Sequence, residues 1–153
     1  MKKLFAVILT VALLMSLSVI AFAANTTSGD ADITTSIAPT YTVTIPADVN
    51  VAFNATETAF GTIEVTASQI HPNKCIKVTI NTDKKLENST DETKVIEYDI
   101  MDAEGNPFTS ATYLTEGDKT ELSIHITEDS WNKAYAGEYS DTVTFDVSYV
   151  DVQ

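Results

Sequence analysis

The chain has 153 residues, among them 22 acidic residues and nine lysines, and it contains no arginine. A net charge of −13 provides no basic face for phosphates and is repelled by anionic lipid, which argues against nucleic-acid and membrane partners. The single cysteine, Cys75, cannot form an internal disulfide, so the stability of the fold must come from core packing.

The N-terminus has the pattern of a bacterial secretory signal peptide, predicted over Met1–Ala23. Two lysines precede the apolar segment Leu4–Ile20, and Ala21-Phe22-Ala23 has small residues at both positions that a signal peptidase reads. The alternative is one membrane helix, but a stable span needs about 20 apolar residues with flanking anchors, and a polar run follows here at once. We expect cleavage after Ala23, followed by secretion or non-covalent retention at the cell surface.

The remainder has the usual size of one domain. Residues 24–31 are polar and predict a flexible lead, and residues 32–153 predict a single β-domain. Alternation of apolar and polar residues dominates this domain, which is typical of strands with one face on a core. The strongest example is Asp141–Val152, where Val143, Phe145, Val147 and Tyr149 share one face.

In chain order, the pattern predicts a weak strand at Asp32–Ile37 and a strand beginning at Tyr41 that is interrupted at Pro46 and resumes through Phe53. The further predicted strands are Thr62–Ala67, Cys75–Asn81, Lys94–Met101, Phe108–Tyr113 and Thr120–Ile126. Turn residues separate these strands at His71–Asn73, Glu104–Pro107 and Glu116–Asp118.

One short helical turn is predicted at Glu128–Ala136, with Thr127 as its cap and Gly137 as its stop. Together these elements predict an all-β, antiparallel immunoglobulin-like sandwich of about seven to nine strands, with a closed barrel as the alternative. Trp131 of the helical turn is expected to close one end of the core, and the alternative is a solvent-facing ring that stacks on a sugar.

Catalytic chemistry is poorly represented in the sequence. His71 and His125 form no recognisable motif with Cys75, which falls in the polar phase of its strand and is expected to be a partly exposed thiol without a role. Phosphate-binding loops, nucleophile elbows and closely spaced zinc ligands are also missing from the sequence. We therefore predict that the protein is not an enzyme.

Two weak candidate sites remain. Oxygen ligands group around one turn and form a candidate calcium site, consisting of Asp99, Asp102, Glu104 and Asn106. The alternative is a solvated acidic turn. The aromatic residues Trp131, Tyr135 and Tyr139 form a candidate ligand-binding site, for which an extracellular glycan is the expected partner.

Two segments resemble known surface proteins. The closing segment Trp131–Tyr149, with Ala-Gly-Glu-Tyr-Ser-Asp-Thr-Val-Thr-Phe at its centre, resembles the last strand of small secreted immunoglobulin-like proteins of Gram-positive bacteria, and it is similar to that of fimbrial-type and spore coat U-like domains. Ala38–Pro46 is similar to the entry strand of the same Gram-positive proteins. The resemblance implies an immunoglobulin-like sandwich on or near the cell surface, with structural or adhesive use.

The sequence thus favours a non-enzymatic surface protein that associates with itself or with other surface proteins. Ala24–Ile37 is a polar lead followed by a sparse strand, and it is a candidate for pairing with a neighbouring molecule by strand addition. The alternative function is an extracellular carbohydrate- or ligand-binding module, with calcium as its candidate cofactor.

Overall fold

A computed structural model describes residues 30–153. The predicted signal peptide and most of the predicted lead lie outside this range. The chain divides between Thr35 and Ser36 into two units, and residues 30–35 have no regular secondary structure. In residues 30–153, all regular secondary structure belongs to the unit Ser36–Gln153.

Ten strands and one helix make up this unit. In chain order they are β1 Thr40–Thr44, β2 Glu57–Gln69, β3 Lys74–Asn81, β4 Lys85–Asn88, β5 Val95–Glu97, β6 Asp99–Asp102, β7 Ser110–Tyr113, β8 Lys119–His125, α1 Glu128–Lys133, β9 Tyr139–Ser140 and β10 Thr144–Asp151.

The strands form two main antiparallel sheets and one small one. The first main sheet has the order β1-β2-β8-β6, the second has the order β10-β3-β7, and the small sheet has the order β5-β4-β9. The predicted all-β sandwich with one short helix is confirmed. Neither main sheet closes on itself within residues 30–153, because each ends in an edge strand on both sides.

A single core joins the two main sheets. Ile63 and Val65 of β2 are fully buried, as are Ile76 and Val78 of β3 in the facing sheet. Alternation in each strand places these side chains on the inner face, and burial of each contributes about 1.5–3 kcal/mol to folding. Because the single cysteine, Cys75, cannot form an internal disulfide, this packing is the main source of stability.

Several predicted strands differ from the observed ones. Asp32–Ile37 is not a strand, since it has only two large apolar side chains and both are exposed. The continuation of β1 to Phe53 is also wrong: proline at position 46 lacks the N–H of a ladder, and Asn54 takes a left-handed φ of 62°. The predicted strand Lys94–Met101 is divided at Tyr98 into two strands of different sheets, β5 and β6.

The helix forms where it was predicted, but it ends earlier. Thr127 caps it, and the Thr127 hydroxyl accepts a hydrogen bond from the Ser130 N–H at 3.1 Å. Ala134 is already extended, with φ −70° and ψ 141°, so the prediction that Gly137 stops the helix is wrong. Gly137 instead packs against Asn88: a Cβ atom at this position would lie 2.3 Å from Asn88 Nδ2.

Cys75 is buried, with 3% of its surface exposed, which corrects the prediction of a partly exposed thiol. The physical reason is its place on β3, the central strand of its sheet, where Val150 of β10 lies directly opposite. Neighbouring strands cover a short side chain in such a position even on the outer face of a sheet. Its Sγ atom lies 3.9 Å from the carbonyl oxygen of Asp151.

Candidate functional site

The open side of the sandwich, between β1 and β10, is the main candidate site. β1 is the edge of one sheet and β10 is the edge of the other. Across the gap, the rings of Tyr41 and Tyr149 lie 5.9 Å apart, as do those of Phe60 and Phe145. Only side chains therefore join the two sheets here, and no strand bridges them within the described part of the chain.

β10 is a long edge strand without interruption. It pairs with β3 over eight consecutive residues, Thr144–Asp151, and the register has no bulge. Val147 belongs to the same alternation phase as the half-buried Phe145 and Tyr149, yet 39% of its surface is exposed. An inward-facing residue is exposed here because none of the strands in residues 30–153 lies beside β10 on this side.

The direction in which the N–H and C=O groups of β10 point follows from one hydrogen bond. The Val152 N–H donates to the Asn73 carbonyl at 3.1 Å, which continues the ladder between β10 and β3. Alternate residues of an antiparallel strand face the same neighbour, so the even-numbered residues of β10 face β3. The N–H and C=O groups of Phe145, Val147 and Tyr149 consequently point to the open side, which we call the β10 edge.

An aromatic cleft continues the open side toward α1. Its volume is about 1180 Å³, and it lies between the loop 45–53 and the segment 134–145. Phe53, Trp131 and Phe145 supply aromatic lining, and Asp48 and Asp141 supply acidic groups. The cleft combines apolar surface with a negative potential, which favours uncharged or cationic ligands.

Trp131 is partly buried and closes one end of the core, as predicted. Its indole Nε1 donates to the Ala55 carbonyl at 2.9 Å, and its ring meets Phe53 edge-on at 5.7 Å between centroids. These contacts attach the loop before β2 to α1. A structural role therefore accounts for most of the Trp131 surface, although the ring also lines the cleft.

The structure brings Tyr135 and Tyr139 to the same cleft as Trp131. The Tyr139 hydroxyl donates to the Tyr135 carbonyl at 3.0 Å and accepts from the Tyr135 N–H at 3.1 Å, which folds the segment after α1 into a compact loop. Tyr135 is 63% exposed, and Lys94 Nζ lies 5.0 Å from its ring centroid. Of the three predicted residues, Tyr135 therefore offers the most free aromatic surface.

A polar cluster that the sequence analysis missed lies at the cleft. The Tyr98 hydroxyl lies 2.5 Å from Asp141 Oδ2, and the Thr82 hydroxyl donates to the same oxygen at 2.7 Å. Burial raises the pKa of Tyr98, and the hydrogen bond to Asp141 raises this pKa further. The sequence contains no signal that connects Tyr98 to an aspartate 43 positions away.

Two of the four candidate calcium residues, Asp99 and Asp102, are engaged in other contacts. Lys84 Nζ lies 2.9 Å from Asp99 Oδ1. Asp102 Oδ1 accepts hydrogen bonds from the N–H groups of Glu104 at 3.0 Å and Asn106 at 2.8 Å, so it shapes the turn. Within residues 30–153, no group of three or more histidine, cysteine, aspartate or glutamate side chains is arranged to hold a metal ion. The calcium site stays a prediction, which an unchanged melting temperature in millimolar calcium would contradict.

Comparison with known proteins gives no family for this chain. No family model matches the chain, and no curated protein has significant sequence similarity to it. In residues 30–153, none of the helices is long and apolar enough to cross a membrane.

Proposed function

We propose that this chain is a non-enzymatic secreted or cell-surface protein with a structural or adhesive role, and that it self-associates by strand addition at the β10 edge. The observation that carries the proposal is the exposed Val147 on an edge strand whose outward amides have no neighbouring strand within residues 30–153. Sheet edges of this kind are templates for pairing with another chain.

The chemistry of β10 supports this proposal. Natural proteins protect free edges with charged side chains, above all lysine, with proline or with bulges, and Thr144–Asp151 has no lysine, proline or bulge. Its only charged residues are Asp146 and Asp151. The N-terminal sequence supports export, and the resemblance of the closing strand to those of Gram-positive surface proteins agrees with a place at the cell surface.

Light scattering of the purified protein tests this proposal. The gene is expressed with its complete sequence in an exporting bacterium, so that any processing occurs during secretion. We expect the mass to rise with concentration for the wild type and to stay that of a monomer for Val147→Lys. An added strand beside β10 would remove water from the lysine charge on the inner face of the sheet, which is costly. Leu114→Lys is the matched control, since Leu114 is an exposed apolar residue that follows β7.

A second variant separates association from folding. Val147→Pro removes an N–H that points away from β3, so it leaves the β10–β3 ladder intact and blocks only the added strand. Monomeric wild-type protein at all concentrations would contradict the proposal. Association of both Val147 variants, each with a cooperative melting transition, would also contradict it.

A second candidate function is the binding of carbohydrate or another extracellular ligand in the aromatic cleft. The large volume of the cleft and the exposed ring of Tyr135 favour it. A glycan array probed with and without calcium tests this function. We expect Tyr135→Ala to abolish any signal and Leu114→Ala, on a residue outside the cleft, to leave it unchanged. An array without signal for the wild type would contradict this function.

A further inference from the structure

β10 is the one long and regular edge among the four edges of the two main sheets in residues 30–153. β1 has five residues and its register with β2 shifts between Thr42 and Val43, whereas β6 and β7 have four residues each. The number of main-chain hydrogen bonds that an added strand makes grows with the length of regular edge. Strand addition is therefore strongest at β10, with its eight residues.

Resting on the proposed association at this edge, we infer that the added strand is β10 of a second copy, antiparallel and with a two-fold axis through Val147. Two identical edges satisfy each other's outward amides, and an interface with two-fold symmetry closes as a dimer. The β10 sequence then determines which registers of this pairing are allowed.

Amide direction removes half of the possible registers. Phe145, Val147 and Tyr149 present their N–H and C=O groups to the open side, so an odd-numbered residue must lie opposite an odd-numbered residue of the second copy. A shift by one residue would place outward-pointing amides opposite inward-pointing ones. It would also bring the apolar face of one strand beside the polar face of the other.

Side chains select among the registers that remain. With the axis on Val147, Phe145 lies opposite Tyr149 of the second copy, and the two Val147 residues face each other. An axis on Asp146 would put two like charges directly opposite, which is destabilising. An axis on Ser148 would place Phe145 opposite Asp151. Within β10, residues Thr144–Asp151, the axis on Val147 is the one that joins three apolar pairs and no pair of like charges.

The N-terminal lead is the competing occupant of the edge. Ile33 and Ile37 are 98% and 61% exposed, and they share one face of an extended chain. The lead matches the β10 edge less well, because Thr35 falls between these two residues on the same face, whereas β10 has the apolar Val147 between Phe145 and Tyr149. A lead that inserts into the next molecule would also build open chains, whereas paired β10 strands stop at two copies.

Cysteine cross-linking tests the register in the full-length secreted protein. Asp146 lies opposite Ser148 of the second copy, at a pair whose Cα atoms are about 4.5 Å apart, which a disulfide spans. The variants Asp146→Cys and Ser148→Cys are prepared in a Cys75→Ala background and mixed before oxidation. Each variant alone is the matched control, because its own copies lie two residues out of register, about 8 Å apart.

We expect about half of the dimers in the mixture, the statistical share of mixed pairs, to cross-link, and either variant alone to cross-link only at background level. Association without this cross-link would overturn the register and leave the proposed function standing. Loss of association in the double variant Ile33→Ser, Ile37→Ser would overturn it in the same way and assign the edge to the lead. A protein that never associates would contradict the proposed function itself.

Discussion

The Tyr98 hydroxyl lies 2.5 Å from Asp141 Oδ2, so one hydrogen bond ties the junction of β5 and β6 to the segment that leads into β10. The Thr82 hydroxyl lies 3.0 Å from the Tyr98 hydroxyl and also contacts Asp141. This polar cluster holds β10 at its N-terminal end while the opposite side of the strand stays open.

Replacement of Tyr98 should therefore loosen this junction without emptying the core. We expect Tyr98→Phe to lower the free energy of unfolding by about 1–2 kcal/mol, because Asp141 keeps Thr82 as a donor but loses the phenol. Denaturant unfolding measures this loss. Tyr135→Phe is the matched control on an exposed ring, and an equal loss in both variants would contradict the role of the cluster.

The raised pKa of Tyr98 predicts a loss of stability at alkaline pH. Its pKa is raised in the folded state above the ordinary value of 10.0, mainly by burial, so the folded state resists ionisation. The contribution to stability is complete below pH 10.0 and is lost as the pH rises toward the folded-state pKa. Above pH 10.0, the melting temperature should fall less steeply with rising pH for Tyr98→Phe than for the wild type. Identical slopes would contradict this assignment.

Asn88 and Gly137 form a packed pair that should tolerate little change. Asn88 is 3% exposed, and its Oδ1 accepts hydrogen bonds from the Thr90 N–H at 2.9 Å and the Thr90 hydroxyl at 2.7 Å. Gly137→Ala would place a Cβ atom against Asn88 at a φ of +150°. We expect a loss of about 2–4 kcal/mol from Gly137→Ala, by clash and backbone strain together.

Gly105→Ala is the matched control for this substitution, because its φ is +78° but no atom lies within 4 Å of the added Cβ. It should cost about 1 kcal/mol. Thermal melting compares the two variants, and equal losses would show that contact with Asn88 is not what limits position 137.

Trp131 should act as a structural anchor for the loop before β2. Trp131→Ala removes the hydrogen bond to Ala55 and the contact with Phe53, and it should destabilise the fold by about 3–5 kcal/mol. Trp131→Phe should lose less, since it keeps an aromatic ring. The chain has one tryptophan, so its fluorescence reports directly on this contact in the wild type during denaturation. A fluorescence change well before the main unfolding transition would contradict the anchoring role.

Salt should strengthen self-association. Each copy is acidic, with a net charge of −13 for the whole sequence, so two copies repel each other at low ionic strength. Raising the salt from about 0.01 to 0.15 M shortens the screening length from about 30 to 8 Å and should lower the dissociation constant. Sedimentation at both salt concentrations measures this shift. Weaker association at high salt would indicate attraction between charged groups and contradict an apolar, main-chain interface.

Alternation predicted the sandwich well because burial on one face leaves a direct mark on the sequence. The phase of Val143 to Tyr149 identified β10 correctly, and Thr127 marked the start of α1. The prediction of a strand at Asp32–Ile37 was wrong because two apolar side chains do not compensate for the entropy of ordering a strand. The prediction that Cys75 is partly exposed was wrong because alternation assumes a solvated outer face, which a central strand does not always have.

The candidate site was only partly predictable for a related reason. Trp131, Tyr135 and Tyr139 lie close in the sequence, and local structure was enough to bring them to one cleft. The openness of the β10 edge depends on which strands are neighbours, and alternation contains no information about strand order. The same holds for the contact between Tyr98 and Asp141.

Amide hydrogen exchange at the β10 edge tests the central claim most directly. The N–H groups of Phe145, Val147 and Tyr149 point to the open side, so at low protein concentration they should exchange rapidly while those of Asp146 and Ser148 are protected by β3. At high concentration all five should be protected. Unchanged exchange at Phe145, Val147 and Tyr149 across the concentrations at which the mass rises would contradict association through β10.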